Sequence, residues 1–341
     1  MKIFVTGGAG RVGEAAVRRL VGQGHEVTVI GRSQQANVGS ATYVRCSIND
    51  YDRLLETMRH HEAVVHLAAT PTPDGVAGRD MVHANVQGTF NVYEAAVEVG
   101  ISRVVAASSI NATGFFYGDR SFPLEYLPVD ENHPTLATDA YSFTKRMGEE
   151  VGKYFFDRER VTGVALRLPG VLSHELFVQR QQDWGANPGP VAEHLLGLSD
   201  DERLPELERL QTAYDTFRRA NRLDQLERGA SWRERRKHRD LLTREEHIHM
   251  SGLVNFFAYL HEEDSAVAIE RSVTLPYDGF HVLFVNAAKN SMGLPLSDIA
   301  KLFYPPVPAA AVDPQRSDTC VPAIGRAREV IGFDPEWELR S

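Results

Sequence analysis

Thr6-Gly7-Gly8-Ala9-Gly10-Arg11-Val12-Gly13 follows directly on Met1-Lys2-Ile3-Phe4-Val5. Ile3-Phe4-Val5 is a short apolar run that predicts a strand, and the pattern from Val12 to Val21 predicts a helix. The glycines between them permit a tight turn, close helix–strand packing and close approach of backbone to a pyrophosphate. The first helical N–H groups then offer donors and partial positive charge to the phosphates. A glycine triplet alone is a weak signal. Its position between a first strand and a first helix is the context that makes it a dinucleotide cradle.

Outward from this loop, strands and helices alternate. Glu26 to Ile30, Ala63 to Leu67, Arg103 to Ala107 and Gly163 to Leu168 read as strands. Arg79 to Val99, closed by Gly100, and Ala140 to Arg158 read as helices. This alternation predicts an α/β fold, a Rossmann-type doubly wound parallel sheet covered on both faces. The pattern breaks near Ser173. Trp184 to Pro190 is rich in turn formers, and Ser199 to His247 is polar and densely charged. Ser199 with Glu202 is a capping-box signature, and Leu204, Leu207, Leu210, Tyr214 and Phe217 recur at helical spacing. The segment, roughly Arg180 to Arg244, reads as inserted helices whose apolar stripe packs on the body or on another subunit. The basic run Trp232 to Arg239 reads as a solvated helix face. The α/β pattern returns with Leu253 to His261, Asp264 to Ser272, His281 to Val285 and Leu296 to Phe303, and Pro305 to Pro308 punctuates the tail. The expected division is a dinucleotide-binding core over 1–173, a helical insertion over 174–249, and a return to the core with a small substrate region over 250–341.

Tyr141 and Lys145 stand four apart in a predicted helix, so phenol and ammonium share a face. Free tyrosine, with a pKa near ~10, is a poor base at neutral pH, and a neighbouring ammonium stabilises its phenolate. Lowering that pKa by about three units takes roughly 4 kcal/mol. Ser108-Ser109 ends the preceding strand. A hydroxyl there, one strand–helix unit before the Tyr/Lys pair, supplies a polariser for a reacting oxygen. Asn111, two residues on, is expected to face substrate.

The spacing Gly7, Gly10, Gly13 together with Tyr141-Ser142-Phe143-Thr144-Lys145 resembles the short-chain dehydrogenase/reductase superfamily, in particular its extended branch, the NAD-dependent epimerase/dehydratase family. His66-Leu67-Ala68-Ala69, Asn85-Val86-Gln87-Gly88-Thr89 and Leu166-Arg167-Leu168-Pro169-Gly170-Val171 extend the resemblance. It covers residues 1–173 well and 250–335 more thinly, and the insertion matches nothing in it. The resemblance implies a catalytic Ser109/Tyr141/Lys145 set, with Ser109 selected over Ser108 by its distance from Gly114. It implies NAD(P) held by Gly7, Gly10, Arg11, Val12, Gly13, Arg32, Ser47, Ile48, Leu67, Ala68, Ala69, Ser108, Tyr141, Lys145, Pro169 and Val171. Thr70, Asn111 and Arg180 are the substrate candidates, Arg180 only because it lies past the sixth strand. No metal is implied.

Three departures sharpen the expectation. Ile30-Gly31-Arg32-Ser33 lacks the acid that binds a ribose 2′-hydroxyl, and Arg32 suits a 2′-phosphate, which favours NADP. Ser47, with Asp50 nearby, stands where the adenine-side acid is usual, and Gly170 where nucleotide-sugar enzymes carry Asn. Without residues 180–245 about 275 remain, little room for a nucleotide-sugar pocket. Size and the Ser-Ser-x-Asn…Gly-Phe-Phe run resemble the uronate-dehydrogenase-like subgroup, although Ile110-Asn111 replaces its Asn-His pair. A sugar or sugar-acid dehydrogenase is expected, ahead of a nucleotide-sugar epimerase or dehydratase that recycles its cofactor, and ahead of a non-catalytic NAD(P) sensor. The formal charge of −9 disfavours nucleic acid, and the absence of a long apolar run disfavours a membrane span. Cys46 and Cys320, far apart, fit a reducing cytoplasm rather than a disulfide framework. A homodimer is expected.

Overall fold

The computed structural model describes residues 1–73, 76–118, 124–183, 189–228, 254–304 and 318–339, with Thr243, Glu246, Val307 and Val312. Among the described residues there are nine strands: β1 (Lys2–Thr6), β2 (Glu26–Gly31), β3 (Thr42–Arg45), β4 (Ala63–His66), β5 (Arg103–Ser109), β6 (Thr162–Leu168), β7 (Gly170–Leu172), β8 (Tyr259–His261) and β9 (Phe280–Phe284). Seven form one sheet in the order β3-β2-β1-β4-β5-β6-β9, parallel at every pairing. The order reverses between β1 and β4. Ligands of such sheets bind in the crevice at the carboxyl ends of strands at that point.

Alternation along the strands builds two apolar layers. Ile3 and Val5 face the helices Arg11–Gly22 and Glu262–Thr274 through Ala16, Leu20, Ala268 and Ile269. Phe4 faces the other way, in a layer with Val64, Val92, Tyr93, Val104 and Phe155. The helix expected over Arg79 to Val99 is continuous from Gly78 to Glu98, with α-helical ends, Gly78–Val82 and Gly88–Glu98, and a π-helical turn between them at His83–Gln87. A small parallel pair, β7–β8, was not anticipated, because three-residue strands carry no readable period.

The inserted segment is helical where it is described: His174–Asp183, Gly189–Gly197 and Asp200–Arg228. Glu202 reaches back to the Ser199 N–H at 3.1 Å, as the capping signature predicts. Leu207, Leu210 and Tyr214 are buried against Phe115, Phe256, Phe257, Leu302 and Tyr304. Two expectations need correction. Leu204 is 49% exposed and Phe217 only half-buried. The inward stripe instead runs Arg203, Leu207, Leu210, Tyr214, Arg218, with an arginine at each end. Arg203 takes the inward place beside Leu204 because its Nη1 donates to the carbonyls of Leu195 (3.3 Å) and Leu198 (2.9 Å). Trp184, the basic run Trp232 to Arg239, Arg244 and most of Pro305 to Pro308 lie outside the described residues, as does the expected boundary at 249/250. Among the described residues no helix is long and apolar enough to cross a membrane.

Candidate active site

The glycine loop sits at the carboxyl end of β1. Gly7 has φ +72°, and a Cβ there would lie 2.7 Å from the Ala68 nitrogen, so both conformation and the exit of β4 require glycine. A Cβ at Gly13 would lie 2.3 Å from the Gly7 carbonyl oxygen, which sets how closely the first helix approaches the loop. Gly10 differs: a Cβ there would meet only the Gly7 oxygen, at 3.5 Å. The chain itself leaves room at Gly10, so its openness fits the close approach of a pyrophosphate. Gly10 also caps the helix Arg11–Gly22 without a side-chain hydrogen bond, leaving its first N–H groups for such a ligand. Arg11 is exposed and donates to the Val171 carbonyl at 3.1 Å, tying the loop to the exit of β6. Pro169 is buried on that exit. Leu67, Ala68 and Ala69 continue β4, where the Thr6 hydroxyl accepts from the Ala68 N–H at 3.1 Å. Ser47 and Ile48 follow β3, and Asn91 donates to the Ile48 carbonyl at 3.0 Å. Arg32 is exposed just past β2, and its carbonyl accepts from Arg45 Nε at 3.3 Å.

Ser109 is the last residue of β5, and Tyr141 and Lys145 lie on the helix Ala140–Glu159. Ser109 Oγ accepts from the Asn111 N–H at 3.2 Å and from Asn111 Nδ2 at 3.3 Å. Gly114 turns the chain with φ +81°, where a Cβ would lie 2.1 Å from the Leu136 carbonyl oxygen. This turn returns the segment before the helix to the end of β5. Asp139 caps that helix by accepting from the Ser142 N–H at 2.9 Å. Tyr141 is buried and meets the Tyr117 ring edge-to-face with centroids 5.6 Å apart.

The electrostatics differ from the expectation. Burial pushes the Tyr141 phenol up to about 12, against the Ser109 hydrogen bond, which lowers it. Burial also pushes Lys145 down to about 8, with Glu149 opposing. Desolvation dominates both groups, and the expected lowering of the tyrosine by the ammonium is not found: Ser109 lowers the phenol and the Asp139 charge adds to its rise. Lys145 Nζ lies 5.9 Å from the Tyr141 ring centre and donates to the Ala107 carbonyl at 3.0 Å. Glu149, one turn beyond Lys145, holds Arg167 of β6 through two hydrogen bonds of 2.9 and 2.8 Å and accepts from Ser108 Oγ at 2.6 Å. Ser108 therefore faces this buried pair. A cavity of about 20 Å³, room for about one water, lies behind Lys145 between His66, Asn85, Ser108 and Glu149. His66 is pushed down to about 3 by burial and then by the Lys145 charge, so it is neutral.

Asn85 escaped the sequence reading as a site residue. It is buried in the π-helical turn, accepts from the Thr70 N–H at 2.7 Å and donates to Thr144 at 3.1 Å, locking the Thr70 backbone to the helix that carries Tyr141 and Lys145. A polar residue inside an apolar helix was the available signal. Asn255 was also missed: its Oδ1 accepts from Asn111 Nδ2 at 3.4 Å, from a segment more than a hundred residues away. Arg180 is half-buried on the helix His174–Asp183, whose Phe177 packs with Tyr259 and Leu339. A larger cleft, about 700 Å³, lies along β9 between Tyr126, Glu131, His281 and Arg326, and none of the residues named for chemistry lines it.

A parallel sheet with a glycine-lined crevice at its switch point, and a Ser/Tyr/Lys cluster at the same edge, defines a dinucleotide-dependent enzyme. The model of the NAD dependent epimerase/dehydratase family matches residues 3–184, and the chain belongs to that family, the extended type of short-chain dehydrogenase/reductase. It is similar to the L-arabinose 1-dehydrogenase (NAD(P)(+)) of Haloferax volcanii, 35% identical over 178 residues, which are 50% of this chain and 68% of that protein. It is 26% identical over 169 residues to the uronate dehydrogenase of Pseudomonas putida, 49% of this chain and 60% of that protein. In fold it is similar to MoeE5 in complex with UDP-glucuronic acid and NAD, with TM-score 0.59 and 19% identity over 100% of this chain and 95% of that one.

Proposed function

We propose that this chain oxidises a hydroxyl-bearing carbon of a sugar or sugar acid with net turnover of NAD(P), using Tyr141 to move the proton. The observation that carries the reading is buried Tyr141, with the enclosed Lys145 one turn on along the same helix face and Ser109 at the end of β5 near enough to act on the phenol, at the crevice edge. NAD(P)⁺, held by the loop Gly7–Gly13, by Ser47–Ile48, by Leu67–Ala69 and by Pro169–Val171, supplies the hydride acceptor. Ser109 Oγ hydrogen-bonds the reacting oxygen. The Tyr141 phenolate takes the hydroxyl proton, and the Lys145 ammonium, fixed by the Ala107 carbonyl, favours that phenolate. In the reverse direction the neutral phenol returns the proton. Glu149 keeps a negative charge near Lys145 and so opposes its loss of charge on burial.

NADP is the preferred form in this reading. Arg32 is exposed just past β2, and at the end of β3 Arg45 Nε donates to its carbonyl at 3.3 Å, while Arg53 Nε donates to the Arg45 carbonyl at 2.8 Å, so the carboxyl ends of β2 and β3 are rich in arginine, which suits a 2′-phosphate. Two free, buried thiols, Cys46 and Cys320, support a reducing cytoplasmic setting, and the enzyme is read as a homodimer. The test is incubation of the purified protein with NAD or NADP and a panel of aldoses, uronates and nucleotide sugars. Net formation of reduced cofactor supports the dehydrogenase. Sugar interconversion without net reduction refutes it in favour of an epimerase or dehydratase.

A further inference from the structure

Asn255, Phe256 and Phe257 stand in a row with φ of 55°, 55° and 59°, the left-handed region that side chains other than glycine rarely enter. Asparagine tolerates it, but two phenylalanines in succession are strained. Such backbone persists only where its surroundings over-determine it, and here they do. Phe256 stacks on Phe115 with ring centroids 4.7 Å apart, Phe257 meets Phe303 at 4.6 Å, and the Phe257 carbonyl accepts from the Ser291 N–H at 2.9 Å. What the strained turn delivers is the Asn255 side chain, which lies between the exits of β5 and β6. Its Oδ1 accepts from Asn111 Nδ2 at 3.4 Å, and its Nδ2 would lie 3.2 Å from a Cβ at Gly170.

Asn111 in turn bears on Ser109. A hydroxyl oxygen has two lone pairs and one proton. The Asn111 N–H and Nδ2 both donate to Ser109 Oγ, so one residue occupies both lone pairs. The Ser109 proton is thereby left for an oxygen elsewhere, and Ser109 does lower the neighbouring Tyr141 phenol against the effect of burial. All of this depends on which way the Asn111 amide is turned. With Nδ2 toward Ser109 it gives a proton. Turned over, it would offer Oδ1 and draw the Ser109 proton to itself. Asn111 Nδ2 carries two protons, and Asn255 Oδ1 accepts the second, so turning the amide over would set oxygen against oxygen.

We propose that Asn255 is a positioning residue for the sugar chemistry: its amide oxygen fixes the Asn111 amide so that Ser109 can only donate to the reacting oxygen. This rests on the reading in which Ser109 hydrogen-bonds that oxygen, and it adds what readies the hydroxyl to do so.

The test uses Asn255→Gly and Asn255→Asp in the full-length protein. Glycine suits the left-handed backbone, so Asn255→Gly removes the acceptor without strain, and its melting temperature should stay within about 3 °C of wild type. With a sugar and cofactor that wild type turns over, kcat should fall about tenfold while the sugar KM stays within about twofold, because the Ser109 bond is strongest in the transition state. The rise of oxidation rate with pH should also move to higher pH, since Ser109 no longer counters the burial of the Tyr141 phenol. Asn255→Asp, which when ionised can only accept, should keep kcat within about threefold of wild type. Unchanged kcat and pH profile in Asn255→Gly would overturn the proposal, as would equal loss in both variants. So would a fall in kcat matched by a fall in melting temperature, which would make Asn255 a brace for the turn. A wild type that interconverts sugars without net reduction discards the dehydrogenase, and the same comparison is then made on the rate of interconversion. If no sugar is turned over, NMR on nitrogen-15-labelled protein decides. The Asn111 side-chain amide protons, assigned by their absence in Asn111→Ala, should exchange slowly with solvent in wild type and Asn255→Asp, and about tenfold faster or more in Asn255→Gly. Equal exchange in all three overturns the proposal.

Discussion

Replacing Lys145 by Met exchanges a fully enclosed ammonium for an uncharged side chain of similar reach. Burial holds the Lys145 pKa at about 8 against an ordinary 10.5. That difference, at 1.36 kcal/mol per unit, puts the cost of keeping the charged form inside at roughly 3 kcal/mol. The exchange also forfeits the hydrogen bond to the Ala107 carbonyl, worth about 1.5–3 kcal/mol for a charged donor, while Glu149 keeps Arg167 and Ser108. Near neutral pH the two contributions nearly cancel, and the melting temperature should move by no more than a few degrees. The pH dependence is sharper. Between pH 8 and 10.5 the unfolded chain holds this proton and the folded chain does not, so the wild type gains stability from this group as pH rises through that window. Below pH 8 the cost is felt in full. The stability of Lys145→Met relative to wild type should therefore fall by roughly 3 kcal/mol between pH 7 and 10.5. Thermal melts of both proteins across that range measure it. Parallel curves would refute the reasoning, because Lys145 would then not be enclosed as a cation. Turnover and cofactor affinity should both drop in the variant, and unchanged affinity would confine Lys145 to the proton step.

Tyr141→Phe should nearly abolish turnover while leaving cofactor affinity within a few-fold, since the ring's packing against Tyr117 is kept; full activity would exclude Tyr141 from the chemistry. Because burial holds Tyr141 at about 12, sugar oxidation should speed up with rising pH, as read from initial rates between pH 7 and 10. Gly10→Ala should weaken cofactor binding with little loss of stability, whereas Gly13→Ala, with its Cβ 2.3 Å from the Gly7 oxygen, should destabilise the fold itself. Paired melts and cofactor titrations tell the two glycines apart. Arg32→Asp should reverse the cofactor preference by roughly ten- to a hundred-fold, as charge-assisted hydrogen bonds to a 2′-phosphate are lost. A wild type that binds NAD more tightly than NADP would remove Arg32 from the site.

Much of this fold was readable because its signals are local. The β-branched runs of β1, β4, β5 and β6 declare buried parallel strands, and Gly7, Gly10 and Gly13 declare what lies between the first strand and helix. Tyr141 and Lys145 were readable because helical spacing puts them on one face. The same spacing continued once more reaches Glu149, a charge on a buried face, which the reading passed over. Asn255 and Arg218 were out of reach because long-range packing places them. The stripe in the inserted helix was read one residue off at each end, at Leu204 for Arg203 and Phe217 for Arg218. Hydrophobicity ranks leucine and phenylalanine inward, but a guanidinium with carbonyl acceptors can displace them.

The pairing of β6 with β9 has a consequence for how the protein is made. Gly163 lies beside Phe280, so more than a hundred residues, including the whole insertion, must leave the ribosome before the seventh strand can close the sheet. Until then β6, destined for burial on both faces, is an open edge with unpaired N–H and C=O groups, the kind of surface that recruits strands from other chains. Long-range parallel pairing of this sort is slow to form. A chaperone that shields nascent β6, or a slower elongation past residue 170, should therefore raise the yield of soluble protein more than any change that merely strengthens the finished core.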